Sequence, residues 1–176
     1  NPVFWSLEDE SLLENKLNAV EHAMKKSVEY QYSQYQSVKN YMESIGVNKD
    51  IHIGETGWSS VATDLYGDEG THAADEYKQA IYFNLTTALC KSLQISCFYF
   101  SAFDEPWKDS SNQYGSENHF GLFTVEGEAK YALWNSVDSG TFQGLGRIGK
   151  PVEKTYGGNE EELIDRVKAP TIRGME

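Results

Sequence analysis

The chain has 176 residues, with 27 acidic against 15 basic side chains and a formal net charge of −12. That length suffices for one domain with a sizeable core, and the charge repels polyanions, which excludes nucleic acid as the expected partner. Hydrophobic residues at 39% and aromatics at 13% exclude a disordered chain, and no apolar run reaches the roughly 20 residues that span a bilayer.

In chain order, apolar residues recur at three- and four-residue steps from 12 to 45, with Leu17, Val20, Met24, Val28, Tyr35, Val38, Met42 and Ile45 on one stripe, which predicts helix. Ser11 with Glu14 reads as a capping box and Gly46 as the stop; the stretch is long enough for two helices. The β-branched run 50–54 predicts a buried strand that ends just before Glu55. A loop with Gly57, Gly67 and Gly70 leads to a second helix over 72–92, with Tyr77, Ile81, Leu85, Ala88 and Leu89 on its apolar side. A second strand is expected over 95–100, followed by Asp104-Glu105-Pro106-Trp107, a polar loop (108–118), Phe120-Gly121-Leu122-Phe123 and a short helix near 130–137. Beyond Gly140 the glycines and charges thicken, and 140–176 reads as a peripheral tail or linker.

Alternating helices and strands, with carboxylates just past the strand ends, are the grammar of a parallel α/β fold. In a (β/α)8 barrel the active site is built at those ends. An open doubly wound sheet shares the grammar, but no glycine-rich phosphate loop follows either strand. A barrel needs about 200 residues or more, and only two complete βα units are visible, so the chain reads as part of one. Its start, Asn1-Pro2-Val3-Phe4-Trp5, lacks an initiator Met, and the true N-terminus is expected upstream.

Glu55 suits a retaining glycosidase nucleophile, which must be ionised and aimed from a rigid strand end. Gly54 leaves space, Gly57 lets the chain turn away, and Trp58 offers a sugar wall. On spacing alone, a surface glutamate before a turn with a packing tryptophan remains open. His52 reads as a core residue or one behind the site, His119 as a possible partner of a sugar hydroxyl, and His22 and His72 as surface helix residues. Cys90 and Cys97 have no metal-ligand spacing and read as buried thiols. No carboxylate and histidine spacing suggests a metal, so no metal or cofactor is expected. Ser59-Ser60 has no base at an identifiable spacing, which argues against a serine hydrolase. Asn84-Leu85-Thr86 matches a glycosylation acceptor but lies mid-helix.

Gly54-Glu55-Thr56-Gly57-Trp58-Ser59-Ser60 resembles the nucleophile motif of glycoside hydrolase family 17, the β-1,3-glucanase family, with Ser59 where proline is usual. Phe103-Asp104-Glu105-Pro106-Trp107-Lys108 resembles the segment after the family's eighth strand. Glu117-Asn118-His119-Phe120-Gly121-Leu122-Phe123 resembles the next run in that family, and Pro2-Val3-Phe4-Trp5 the stretch after the sixth strand. Four blocks in the family's order cover residues 2 to about 135.

The resemblance implies a (β/α)8 TIM barrel, of which 1–139 would be the C-terminal part, about the sixth to eighth βα units. It implies Glu55 as nucleophile, with Glu105, Lys108 and Glu117 as a charged network positioning the site. Trp58, Trp107 and Phe120 would wall the sugar subsites, with Phe4 and Trp5 as outlying contacts, while Asp104 holds its loop. The family's acid/base glutamate comes after the fourth strand, upstream of this chain, so this chain alone is expected to be inactive. The expected partner is a β-glucan polysaccharide or oligosaccharide, the intact enzyme is expected to be a monomer, and export to the cell surface, periplasm or medium is expected from the site of polymeric glucan. Two rival readings are a transglycosylase using the same nucleophile and a non-catalytic glucan-binding module.

Overall fold

The computed structural model describes residues 15–63, 65–67 and 70–171. Its first element, α1 (Lys16–Ser44), is one helix of 29 residues rather than two. The expected capping box, Ser11 with Glu14, lies outside the described residues. The observed cap is Asn15, whose side chain accepts from the backbone N–H groups of Leu17 and Asn18, satisfying donors that the first turn leaves orphaned. The chain leaves the helix at Ile45 and Gly46, the glycine taking φ +74°. Only the N-terminal half of the apolar stripe is covered. Ala19, Val20, Ala23, Met24 and Val28 enter the core, whereas Val38, Tyr41 and Ile45 are exposed.

Strand β1 (His52–Thr56), helix α2 (Glu76–Leu93) and strand β2 (Ser96–Tyr99) form a βαβ unit with the two strands parallel. The first strand is not buried as its composition suggested. β1 pairs with β2 on one edge, and His52, Gly54 and Glu55 are exposed. α2 begins at its Asp75 cap, later than expected. His72 therefore precedes the helix, with φ +56° and its Nδ1 2.9 Å from the Ala169 carbonyl.

The side of α2 turned inward is polar as much as apolar. Lys78, Gln79 and Thr86 are fully buried, while Ala88 of the expected stripe is exposed. The donors of these three all have partners, as burial requires, while Gln79 Oε1 is buried without one among the described residues. Lys78 donates to the His72 carbonyl and Asp75, Gln79 to the Trp58 and Gly121 carbonyls, and Thr86 to Gln31. Tyr77, Ile81, Leu85 and Leu89 pack half-buried around the core. Asn84, on the same helix, is exposed.

After β2 the chain forms an irregular ladder in which Phe103 bridges Phe123, Phe123 bridges Ala129, and Ala129 bridges Lys154. Between these, a 3-10 turn (Tyr131–Leu133) runs into a short helix α3 (Trp134–Asp138). The region beyond Gly140 divides in two. The hairpin β3 (Gly146–Arg147) and β4 (Lys150–Pro151) is exposed and peripheral. The segment after the hairpin is no linker. α4 (Glu160–Arg166) buries Leu163, and Val167 after it joins the core beside Met24 and Tyr82. Thr155 donates to buried Glu76 at 2.7 Å, and Lys16 to the Ile164 carbonyl at 2.8 Å.

Leu163→Ala is therefore expected to cost about 2–5 kcal/mol, the range for emptying a buried leucine site. Val38→Ala, on the exposed half of α1, should change stability by less than about 0.5 kcal/mol. Urea denaturation of the two variants beside the parent checks both.

Candidate active site

Partners along the parallel pair are His52 with Ser96, Ile53 with Cys97, and Thr56 with Tyr99. Between the last two pairs β1 supplies Gly54 and Glu55 where β2 supplies Phe98 alone, so β1 carries one extra residue. Strict alternation would place Glu55 on the side of Ile53 and Thr56 on that of His52. The bulge exchanges them. Thr56 turns toward the helices, where its hydroxyl meets Gln31 Nε2 at 3.0 Å and Tyr82 OH at 2.9 Å. Gly54 and Glu55 stay exposed with His52 and Phe98. The imidazole of His52 meets Ser96 Oγ at 2.7 Å and stands edge-on to Phe98, so it is neither a core residue nor one behind the site.

Past the strand the chain turns within contact of its neighbour. A Cβ on Gly57 would lie 2.1 Å from the Phe100 carbonyl oxygen, an approach only glycine permits. Trp58 then swings inward, its indole N–H donating to the Ala73 carbonyl at 2.8 Å and its ring tilted on Tyr82 at 5.0 Å. It packs on the core while still lining the cleft.

The cleft measures about 720 Å³. At the strand end it is lined by Glu55, Trp58, Glu117 and Phe120, and it extends between β1 and α1, past Gln31 and Tyr35. Four of the expected site residues thus meet. Glu105, Trp107 and Lys108 do not line it. Glu105 and Lys108 form an ion pair at 3.4 Å, with the ammonium 4.0 Å from the Phe100 ring centroid, and Trp107 stands 67% exposed. Of the expected three-residue charged network, the described residues show the Glu105 and Lys108 pair, three residues apart in one backbone turn. Glu117 has no ion pair among the described residues. Phe4 and Trp5 lie outside the described residues. The ring nitrogens of His119 face the Gln113 carbonyl at 2.9 Å and Asp104 at 3.5 Å, which leaves it engaged within the protein.

Behind the cleft sits a buried polar assembly that apolar periodicity did not reveal. Lys130, 2% exposed, donates to Asp104 Oδ1 and to Ser60 Oγ, both at 2.7 Å. The same Asp104 oxygen accepts from the Gly121 N–H at 2.9 Å, so Asp104 holds its loop as expected. Burial pushes the Lys130 ammonium below its usual range, opposed by the charges of Asp104 and Glu76; burial also raises the Glu76 carboxyl. Gln79 adds a second staple between the Trp58 and Gly121 carbonyls. The pair Cys90 and Cys97 is free, and burial, with Cys90 alongside, pushes the Cys97 thiol up to about 12. Among the described residues no cluster of His, Cys, Asp and Glu is arranged to hold a metal ion, and no helix is long and apolar enough to cross a membrane.

The family description "Glycosyl hydrolases family 17" matches residues 7–134. A glucan 1,3-beta-glucosidase of Arthroderma benhamiae is 33% identical over 93 residues, 49% of this chain and 28% of that protein. A probable family 17 glucosidase of Saccharomyces cerevisiae is 32% identical over 91 residues, 52% and 21% of the two chains. The crystal structure of an endo-laminarinase from Formosa Hel1_33_131 superposes with a TM-score of 0.94 at 50% identity, covering 98% of this chain and 44% of that one. The chain spans less than half the length of each of these relatives.

Replacing Lys130 by Met would leave the buried Asp104 carboxylate without its cation, a change that costs about 3–5 kcal/mol. Denaturant titration of Lys130→Met should show that loss, whereas Lys108→Met, at the half-exposed Glu105 pair, should lose under about 1 kcal/mol.

Proposed function

The chain belongs to glycosyl hydrolases family 17, and from that premise we propose that the protein containing it hydrolyses β-1,3-linked glucan with retention of configuration, Glu55 being the nucleophile. The observation that carries the reading is the bulge in β1. It lets Thr56 bond Gln31 and Tyr82 while Glu55, the residue before it, stays exposed in a cleft that also holds Glu117 and Phe120. A carboxylate projecting from a strand end beside the sharp turn at Gly57 is rigidly aimed, as a nucleophile must be.

In the first step a Glu55 oxygen bonds to the anomeric carbon while the bond from that carbon to the glycosidic oxygen breaks. The leaving oxygen takes its proton from an acid residue upstream of this chain. In the second step water attacks the glycosyl-enzyme, its proton returns to that same residue, and Glu55 is released. Phe120 and Trp58 give the sugar apolar faces to lie against. Glu117 shares the cleft with Glu55, and its carboxylate is assigned to positioning the site rather than to attack. The βαβ unit is proposed as part of a (β/α)8 barrel whose C-terminal strand ends hold the site. On this reading the enzyme acts outside the cytoplasm, where polymeric glucan lies, and works as a monomer without a cofactor.

The test is the product profile, by mass, of laminarihexaose incubated with the full-length protein and with its Glu55→Gln variant. Hydrolysis predicts shorter oligosaccharides that vanish in the variant, with turnover down at least about a thousandfold. Longer products that vanish would make the enzyme a transglycosylase. Intact turnover in a folded variant would remove Glu55 from the reaction, and no turnover by either protein would favour a binding module.

A further inference from the structure

Glu117 sits in a 3-10 turn (Ser116–Asn118) with no ion pair among the described residues to steady it, so its backbone must supply its aim. Carbonyls on both sides of it are held from outside the turn, and two of the holders are neighbours in sequence. The hydroxyl of Ser59, 7% exposed, lies 2.9 Å from the Ser116 carbonyl oxygen and 2.7 Å from that of Val61, with one proton to serve both. The backbone N–H of Ser60 donates to the His119 carbonyl at 3.0 Å, and its hydroxyl donates to the same oxygen at 3.1 Å. That second hydroxyl is itself fixed, because it accepts from the buried ammonium of Lys130.

We propose that Ser59 and Ser60 are positioning residues that clamp the Glu117 turn to the segment leaving Glu55, so that the two carboxylates move as one unit. The proposal rests on the reading of Glu55 as nucleophile and adds a function for the serine pair. Both residues come within five positions of Glu55, on a loop that Gly57 presses against the Phe100 carbonyl. Displacing the clamp shifts Glu117 relative to Glu55 without touching either side chain. The chemistry feels such a shift strongly, since a misplacement of about 1 Å at a reacting centre costs up to about a hundredfold.

The experiment is a double-mutant cycle in the full-length protein with laminarihexaose, using Ser59→Ala, Glu117→Gln and their combination, with kcat and KM measured separately. Ser59→Ala should lower kcat by about tenfold with KM within about twofold. The double variant should be no slower than Glu117→Gln alone, since both changes act through one group. Ser59→Thr, which keeps the hydroxyl, should recover most of the rate. Ser60→Ala keeps the backbone bond to His119 and is the milder second variant, expected to lose a few-fold in kcat with the same non-additivity. An unchanged kcat in Ser59→Ala, effects that multiply in the double variant, or a lowered melting temperature with kcat per active molecule intact would each overturn the clamp. Full turnover in Glu55→Gln would instead bring down the reading beneath it.

Discussion

One extra residue in β1 governs where the site's chemistry points. A parallel strand alternates its side chains, and without the bulge the carboxylate of Glu55 would face α1 and α2 while Thr56 faced the open side. The added residue lets two requirements hold together. Thr56 stays among Gln31 and Tyr82, where its hydroxyl is satisfied, and Glu55, one position earlier, lines the same cleft from the exposed side of the strand. Bulges beside active sites serve to re-aim a side chain in this way. Gly54 occupies the bulge where no side chain competes with the carboxylate, and Gly57 admits the close carbonyl of Phe100 that turns the chain aside.

The loops beyond the strands are fixed by aromatic pairs, Phe100 with Phe120 and Phe103 with Phe123, and by buried polar bonds beside them. Lys130 reaches Asp104 and Ser60, Asp104 reaches the Gly121 N–H, and Gln79 joins the Trp58 and Gly121 carbonyls. The loop after β1, the loop after β2 and the run through Gly121 are thereby tied to one another and to α2. A hydrophobic contact tolerates sliding, whereas a buried ion pair with satisfied hydrogen bonds admits one arrangement. The two segments carrying Glu55 and Glu117 are held by this assembly from behind, and the cleft in front is left free of it.

The sequence made some of this legible. The short β-branched run marked the strand but not its end, since β1 continues through Glu55 to Thr56, and the order of helix, strand, helix, strand pointed to the parallel pair. Glu55, Trp58, Glu117 and Phe120 meet in the cleft, from segments far apart in the chain. The bulge went unread because its one signal, Gly54 inside the strand, fits equally well a glycine that simply leaves space beside the carboxylate. Lys78, Gln79 and Lys130 were invisible for a related reason: periodicity counts apolar positions, and a buried lysine looks like a solvated one until its partner is found. The charge-rich stretch Glu160-Glu161-Glu162 disguised a helix that needs only Leu163, with Val167 just beyond it, to dock on the core. Trp58 shows a residue type serving two ends at once, its indole N–H spent inside while its ring borders the cleft.

If Glu55 forms the covalent bond to sugar, that bond can be trapped on it. The full-length protein would be treated with a 2-deoxy-2-fluoro laminaribiosyl fluoride, which slows release of the glycosyl-enzyme, then digested and the labelled peptide sequenced by mass spectrometry. One added 2-deoxy-2-fluoro-laminaribiosyl group is expected, attached at Glu55 in the peptide that runs through Gly57 and Trp58. A label on any other carboxylate, Glu117 or Glu105 included, would contradict that assignment.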